Sequence, residues 1–214
     1  EANGYFFPKG VLTDEKSYAS LTSASFGQTF KITPLQLVRA ISSVVNGGQL
    51  MEPYIVSEIL DADGNTVMKA EPTVVRRTIS QETSDTMRTL IESVVTEGTA
   101  KNAKVAGFSI GGKTGTSEKI DVFDENGQRV QDKIVSFVGI APMDDPQYIV
   151  LVALDTPSAE TGYYISGGVM AAPTVRGVLE DILPYLGVSR DYTGVDMSSV
   201  EVDSAVTKTG RFFF

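Results

Sequence analysis

Apolar residues recur every three or four positions in three stretches of the chain, which is the spacing of one buried face of an α-helix. The first predicted helix has Thr33 as its N-cap, Pro34 at its first position and Gln36 as the capping-box partner of Thr33. The pair Gly47-Gly48 ends it. Its apolar stripe, which we expect to pack in the core, consists of Leu37, Val38, Ile41, Val44 and Val45.

Two further helices are predicted from the same spacing. One begins near Ser80 and stops at Gly98, and the other runs from about residue 173 to residue 183, where Pro184 ends it. The residues expected to face inward are Met87, Leu90, Ile91, Val94 and Val95 in the second helix and Val175, Val178, Leu179 and Ile182 in the third.

Three strand candidates lie between the second and third helices, at about residues 112–123, 134–141 and 148–155. The pair Asn126-Gly127 is a strong hairpin signal, and residues 143–146 supply the second turn. The series predicts an antiparallel meander that the last helix covers on one face, so the predicted fold class is α+β.

A smaller hairpin is predicted around the acidic segment 61–65, with strands at 54–60 and 66–68. The acidic segment does not follow the EF-hand pattern, because Gly64 stands at the fourth loop position and Pro72 stands where the closing glutamate belongs. We therefore expect a plain turn.

Composition narrows the function classes. The chain has 214 residues, of which 42% are hydrophobic and 21% charged, and this is ordinary globular usage. Its net charge of −9 argues against a nucleic-acid or anionic-membrane partner. It contains no cysteine and no histidine, which excludes thiol chemistry, a serine–histidine triad and ordinary zinc sites within this chain. We expect no metal and no cofactor.

The segment 111–117, G-G-K-T-G-T-S, fits two unrelated active sites. Gly107, Gly112, Lys113 and Thr114 satisfy the G-x-x-x-x-G-K-[ST] pattern of a phosphate loop, which requires a helix after the lysine. Thr114 is instead succeeded by Gly115, a run rich in β-branched residues and a hairpin signal, all of which favour a strand. A nucleotide-binding protein is therefore the weaker hypothesis.

The same segment contains K-T-G, an element of serine penicillin-binding proteins and β-lactamases. On an edge strand, Lys113 and Gly115 alternate with Thr114 and Thr116. The lysine offers a cation for a carboxylate, the glycine lets a substrate backbone lie close, and the hydroxyls and free N–H groups can hold an extended peptide.

Seven short motifs follow one another between about residues 20 and 185. They are S-F-G-Q (25–28), T-P-L-Q-L-V-R-A (33–40), N-G-G (46–48), E-P-Y-I-V (52–56), E-G-T-A (97–100), G-K-T-G-T (112–116) and S-F-V-G-I-A-P (136–142). In this order and approximate spacing they resemble the C-terminal half of the transpeptidase domain of class B penicillin-binding proteins of the sporulation or division type.

The resemblance implies a penicillin-binding-protein or serine β-lactamase-like transpeptidase fold and acyl transfer at the D-Ala–D-Ala bond of peptidoglycan stem peptides. By matching position, Lys113 would anchor the substrate carboxylate, Thr114 and Thr116 would hydrogen-bond to it, and Gly115 would lie in the same binding strand. The backbone N–H of Thr116 would be one of two oxyanion donors. β-Lactams would mimic the dipeptide and trap the serine nucleophile.

The chain departs from the family pattern in one respect. None of its serines is followed by lysine at the third position, and no S-x-N element occurs. Both elements precede S-F-G-Q in the family, so we expect residues 1–187 to be a partial transpeptidase domain without its nucleophile half, inactive alone, and 188–214 to be a tail or linker. A serine β-lactamase fragment and a non-catalytic pseudoenzyme module are two competing hypotheses.

The resemblance also implies partners and a location. The full-length protein would bind stem peptides and β-lactams, and it would be anchored in the bacterial membrane with this domain on the extracytoplasmic face. No apolar run here reaches the ~18 residues of a membrane span. We expect a partial domain to self-associate, because it exposes sheet edges and apolar surface.

Overall fold

The computed structural model describes residues 4–8, 10–14, 17–119 and 122–191. The described chain starts with a 3₁₀ turn (Val11–Thr13) and helix α1 (Tyr18–Ser25), followed by helix α2 (Pro34–Val45). The predicted capping box of α2 is confirmed: the N–H of Gln36 donates to Thr33 Oγ1 at 3.2 Å, and the N–H of Thr33 donates to Gln36 Oε1 at 3.0 Å. Helix α1 was not predicted, because it has no buried residue and therefore no apolar stripe.

Two small antiparallel sheets come next along the chain. Strand β1 (Gln49–Met51) pairs with β4 (Val74–Arg77), and β2 (Glu58–Leu60) pairs with β3 (Thr66–Lys69). The β2–β3 hairpin confirms the predicted one, although its first strand begins at Glu58 and not at residue 54. Its turn is plain, as expected: Asp61 Oδ1 accepts the N–H groups of Asp63 at 2.9 Å and Asn65 at 2.8 Å.

Helix α3 (Gln81–Thr96) leads through a 3₁₀ turn (Lys101–Ala103) to a three-stranded sheet. Its strands are β5 (Gly111–Glu118), β6 (Lys133–Ala141) and β7 (Tyr148–Asp155), paired antiparallel in the order β5-β6-β7. The predicted meander is confirmed, but the first strand ends at Glu118 and not at residue 123. Beyond it, an isolated bridge between Phe123 and Arg129 closes the predicted Asn-Gly hairpin.

The chain then forms a 3₁₀ turn (Ala159–Thr161), a π-helical turn (Gly167–Ala171) and helix α4 (Ala172–Tyr185). The predicted end of α4 was wrong, because Pro184 lies inside the last turn. The helix tolerates a proline here because few hydrogen bonds remain to be made at its end, and the N–H of Leu186 still donates to Ile182 O at 2.8 Å.

The sheet lies between helices. On one face, Phe137 and Ala141 pack in a buried cluster with Val175, Leu179 and Leu183 of α4. On the other face, the buried residues Val45, Ile140 and Met143 pack with partly buried residues of α2, α3 and β7, which are Ile41, Val44, Ile91 and Ile149. The structure is therefore α+β, as predicted.

Two residues expected in the core lie at its border. Leu90 is 54% exposed and Val178 is 36% exposed. Each comes from the edge of an apolar stripe, and only the centre of the stripe meets the sheet, as the fully buried Val175 and Leu179 do in α4.

The C-terminal end of α2 is held against α3 by a buried serine. Ser84 Oγ donates to Val44 O at 2.7 Å and accepts the N–H of Gly47 at 3.0 Å. Arg88 Nε adds a bond to Val45 O at 2.7 Å. These side chains satisfy carbonyl groups that the helix itself leaves without a donor.

Residues 188–191, which the sequence assigned to a tail, still contact the domain. Val188 packs against the α4 cluster, and the Arg190 guanidinium lies 4.7 Å from the ring centroid of Phe108. Arg190 Nη1 also donates to Ala106 O at 2.6 Å. The rest of the predicted tail, 192–214, lies outside the described residues. None of the helices in the described ranges has the length and apolar character needed to cross a membrane.

Candidate substrate-binding site

Lys113, Thr114 and Gly115 lie in the middle of strand β5, where they pair with Val138, Phe137 and Ser136 of β6. Within the described chain β5 has a partner strand on one side only, so it is an edge strand. Alternate N–H and C=O groups of an edge strand point away from the sheet and are available to a ligand. The predicted extended conformation of K-T-G at a sheet edge is therefore present.

The two threonines share one face of β5. Thr116 Oγ1 and the methyl group of Thr114 both lie beside Gly167 and Gly168, which precede α4. Lys113 alternates with them and lies on the face of α2 and α3. Strand periodicity thus separates the hydroxyls from the cation, as the sequence predicted.

Lys113 is exposed, and its ammonium group donates to the carbonyl oxygen of the adjacent Thr114 at 2.6 Å. No carboxylate among the described residues forms an ion pair with it. The cation is therefore compensated only by a backbone dipole and can bind an anion. No described group of three or more acidic, histidine or cysteine side chains could hold a metal ion.

Gly115 leaves room for a hydroxyl group of the neighbouring strand, which a larger residue would have to displace. A Cβ atom at this position would lie 2.5 Å from Ser136 Oγ, because Ser136 is its direct cross-strand partner. This reason for glycine differs from the one the sequence indicated, which was close approach of a substrate. Both reasons call for the absence of a side chain on the strand.

Gly167 and Gly168 are site residues that sequence reasoning missed. A Cβ on Gly167 would overlap the carbonyl oxygen of Ser136 and lie 2.7 Å from that of Gly115, and a Cβ on Gly168 would overlap Thr99 O. The Gly167 N–H donates to Thr116 Oγ1 at 3.4 Å. The only sequence signal was the Gly-Gly pair, which is common in turns and does not reveal its distant partner.

The E-G-T-A motif (97–100) lies next to Thr114 and Gly168. Thr99 Oγ1 lies 3.5 Å from Thr114 Oγ1, and Asn102 Nδ2 donates to Gly168 O at 3.0 Å. The segment after α3 therefore supports the K-T-G strand on its threonine face, which explains how motifs far apart in sequence form one site.

The S-F-G-Q motif lies at the outer end of the strand. Gln28 lines a cleft of about 290 Å³ together with Thr116, Glu118 and Lys133. The adjacent Thr29 has a φ of 68°, a left-handed conformation that β-branched residues rarely adopt. The loop is thus held in an unfavourable conformation that carries Gln28 to the cleft.

The phosphate-loop interpretation requires a helix N-terminus at Lys113 and Thr114. Both residues are in β5, which continues as a strand to Glu118. The geometry does not provide the converging N–H groups of a helix start.

The comparison with protein families agrees with this arrangement of fold and motifs. Residues 7–180 match the family described as penicillin binding protein transpeptidase domain. The chain belongs to this family.

Among individual proteins, the chain is 39% identical to stage V sporulation protein D of Bacillus subtilis (strain 168), a match that covers 96% of this chain and 32% of that protein. It is 36% identical to a probable peptidoglycan D,D-transpeptidase FtsI of Caulobacter vibrioides, over 80% of this chain and 29% of that protein. The chain thus spans about a third of the length of these relatives.

Solved structures show the same relationship. The transpeptidase domain of penicillin-binding protein 3 from Burkholderia pseudomallei, in its apo form, is 31% identical, with a TM-score of 0.69 over 89% of this chain and 52% of that one. Penicillin-binding protein 3 from Mycobacterium tuberculosis, complexed with aztreonam, is 25% identical, with a TM-score of 0.72 over 89% and 42%. The predicted class of transpeptidase fold is confirmed.

Proposed function

We propose that this chain forms the carboxylate-binding wall of a peptidoglycan D,D-transpeptidase. One observation carries the proposal: K-T-G lies on an extended edge strand, with an exposed lysine and threonine hydroxyls beside it, in a chain of the transpeptidase family. In the reaction a serine attacks the D-Ala–D-Ala amide bond, the terminal D-Ala leaves as the free amino acid, and the acyl group then passes from the serine to the amine of a second peptide strand.

The hydroxyl groups of Thr114 and Thr116 donate hydrogen bonds to the terminal carboxylate of the donor peptide, and Lys113, on the other face of the same edge strand, attracts this carboxylate through its charge. Gly115 keeps the strand free of a side chain between the two threonines. Charge-assisted hydrogen bonds to a carboxylate are about twice as strong as neutral ones, and they fix the position of the peptide bond that is to be cleaved.

The backbone N–H of Thr116 acts as an oxyanion donor to the carbonyl group under attack. Such a donor stabilises the charge that develops in the transition state, and losing one typically costs roughly 10²–10³ in rate. The attacking serine belongs to a S-x-x-K element that these 214 residues do not contain, so the complete protein supplies it. The chain by itself is then unable to form an acyl-enzyme.

β-Lactams react with the complete protein in the same site, since they present an anionic group, a carboxylate in penicillins, next to a strained amide bond. The complex of the related Mycobacterium tuberculosis protein with aztreonam supports this ligand class. The substrate also sets the location, because peptidoglycan is crosslinked outside the cytoplasmic membrane. We therefore expect a membrane-anchored protein that exposes this domain on the extracytoplasmic face.

Fluorescent penicillin labelling of the complete protein tests the proposal. We expect the wild type to be labelled in a gel assay and the 214-residue chain alone to remain unlabelled. Lys104→Ala is the matched control for the site variant Lys113→Ala, since Lys104 is an exposed lysine outside the K-T-G strand. A wild type that is never labelled, or isolated chain that is labelled, would contradict the proposed function.

A further inference from the structure

The cleft next to Thr116 is lined by that threonine and by three residues that the carboxylate site does not use. Glu118 and Lys133 are direct cross-strand partners at the ends of β5 and β6, and Gln28 comes from the loop before α2. The cleft volume of about 290 Å³ is that of a small ligand group.

Among the described charges around this cleft, one cation has no ion-pair partner. Glu118 is paired with Arg129, at 3.3 Å between Oε2 and Nη2, and Asp155 is paired with Lys119. Lys133 lies beside Glu118, its cross-strand partner on the same face of the sheet, whereas Asp155 pairs with Ile134 and lies on the opposite face. No ion pair to Lys133 occurs within the described ranges.

Gln28 adds a neutral polar group. Its side-chain amide makes no hydrogen bond to another described residue, although its backbone N–H is bonded to Ser23 O at 3.0 Å. The left-handed Thr29 next to it is fixed by its hydroxyl, which lies 2.9 Å from Ser23 Oγ. A strained residue whose conformation is held by its surroundings is a mark of functional segments.

The spacing along β5 relates this cleft to the carboxylate site. Glu118 is two residues beyond Thr116 and four beyond Thr114, and all three lie on the same face of the strand. At ~3.3 Å per residue, Glu118 is roughly 7 Å along the strand from Thr116 and roughly 13 Å from Thr114, and Thr116 itself lines the cleft. An extended peptide covers this distance with two to four residues.

From this geometry we propose that Lys133 and Gln28 form a second subsite, which binds an acidic side chain of the donor peptide. The ligand is a peptide that ends in a free carboxylate and carries a second carboxylate two or three residues before its last residue. Lys133 pairs with that acid, and Gln28 hydrogen-bonds to the neighbouring peptide group. This inference rests on the proposed function, because it assumes that the terminal carboxylate lies at Thr114 and Thr116.

Two fluorescein-labelled peptides test it directly by fluorescence anisotropy with the complete protein. Both end in D-Ala-D-Ala, and the third residue from the end is glutamate in one and glutamine in the other. We expect about two- to fivefold tighter binding of the glutamate peptide, the range of a solvent-accessible ion pair. The preference decreases in high salt.

Four variants show which residues cause the preference for the glutamate peptide. Lys133→Met abolishes the preference, Lys133→Arg retains it, and the control Lys104→Met, at an exposed lysine that does not line the cleft, leaves it unchanged. Gln28→Ala lowers the affinity for both peptides by the same factor, because Gln28 hydrogen-bonds to the backbone of the peptide. This pattern separates an ion pair at Lys133 from a general loss of folding.

The inference is overturned if the wild type binds the two peptides equally or binds neither, or if Lys133→Met keeps the preference. The wild-type comparison needs no variant to fold. Penicillin labelling in parallel separates the two proposals: labelled protein with equal peptide affinities refutes only the second subsite, whereas unlabelled protein refutes the proposed function.

Discussion

The backbone N–H of Gly167 donates a hydrogen bond to Thr116 Oγ1 at 3.4 Å. The Thr116 hydroxyl therefore has an acceptor position occupied from the side of α4, and its proton is free to donate to a ligand on the exposed side. This relationship orients the hydroxyl before a carboxylate arrives, which reduces the entropy lost on binding. It also fixes the distance between β5 and the start of α4.

Gly167→Ala tests this positioning. The added methyl group overlaps Ser136 O and crowds Gly115 O, so β5 and the turn before α4 must separate. We expect the rate of acylation by penicillin to fall by about tenfold or more, since misplacement of ~1 Å can cost roughly 10² in rate. Stopped-flow labelling of the complete protein measures it.

The control for that variant is Gly177→Ala in α4, where an added Cβ meets open space. Alanine is favoured over glycine in a helix interior by about 0.5–1 kcal/mol. We expect a small gain in stability and an unchanged acylation rate. Equal rate losses in the two variants would show that Gly167 has no particular role.

Removal of the Lys113 ammonium group or of the Thr116 hydroxyl should slow the reaction with β-lactams that carry a carboxylate. Hydrogen bonds to charged groups contribute about 1.5–3 kcal/mol, so Thr116→Ala is expected to lower the second-order acylation rate by roughly 10- to 100-fold. Thr116→Ser retains the hydroxyl and should keep most of the rate. The loss should be of similar size in Lys113→Ala.

Competition between fluorescent penicillin and unlabelled β-lactam gives these rates. If Lys113→Ala and Thr116→Ala are labelled as fast as the wild type and as Lys104→Ala, the roles assigned to the two residues are incorrect.

Ser84→Ala should destabilise the packing of α2 on α3. The hydroxyl is fully buried and bonds to both Val44 O and the N–H of Gly47, so the variant leaves a buried N–H and a partly buried carbonyl without this partner. We expect a loss of about 1–3 kcal/mol in the free energy of unfolding, measured by urea denaturation. Ser93→Ala, at an exposed hydroxyl of the same helix, should change it by less than about 0.5 kcal/mol.

The carboxyl group of Asp155 provides a prediction about pH. A hydrogen bond from Lys119, with a second from Thr156 Oγ1 at 2.8 Å, holds its pKa below the usual 3.8. Because the folded-state pKa is the lower one, the contribution of Asp155 to stability is present above about pH 3.8 and is lost as the pH falls through the folded-state pKa.

Lys119→Met should raise the pKa of Asp155 toward 3.8, which carbonyl-carbon NMR of the labelled protein can follow. The same titration in Lys104→Met should match the wild type. An Asp155 pKa that does not move in Lys119→Met would show that the Thr156 hydroxyl lowers it without the lysine.

The sequence by itself determined the elements whose causes are local. The capping box of Thr33 and Gln36 and the turn residues that bound the strands act within a few positions, so helix α2 and the β5–β7 meander were readable from the pattern. The placement of K-T-G on a strand followed from the β-branched residues after it. Its edge position also agreed with prediction, since β5 is the first strand of a meander.

Only the tertiary structure decided which distant segments meet this strand. Gly167 and Thr116 are 51 positions apart, and no periodicity relates them. Helix α1 has no buried face, and the exposure of Leu90 and Val178 depends on how far the sheet extends under each helix. Local sequence encodes hydrogen-bonding patterns and apolar faces, whereas the partners of those faces are selected by close packing of the whole domain.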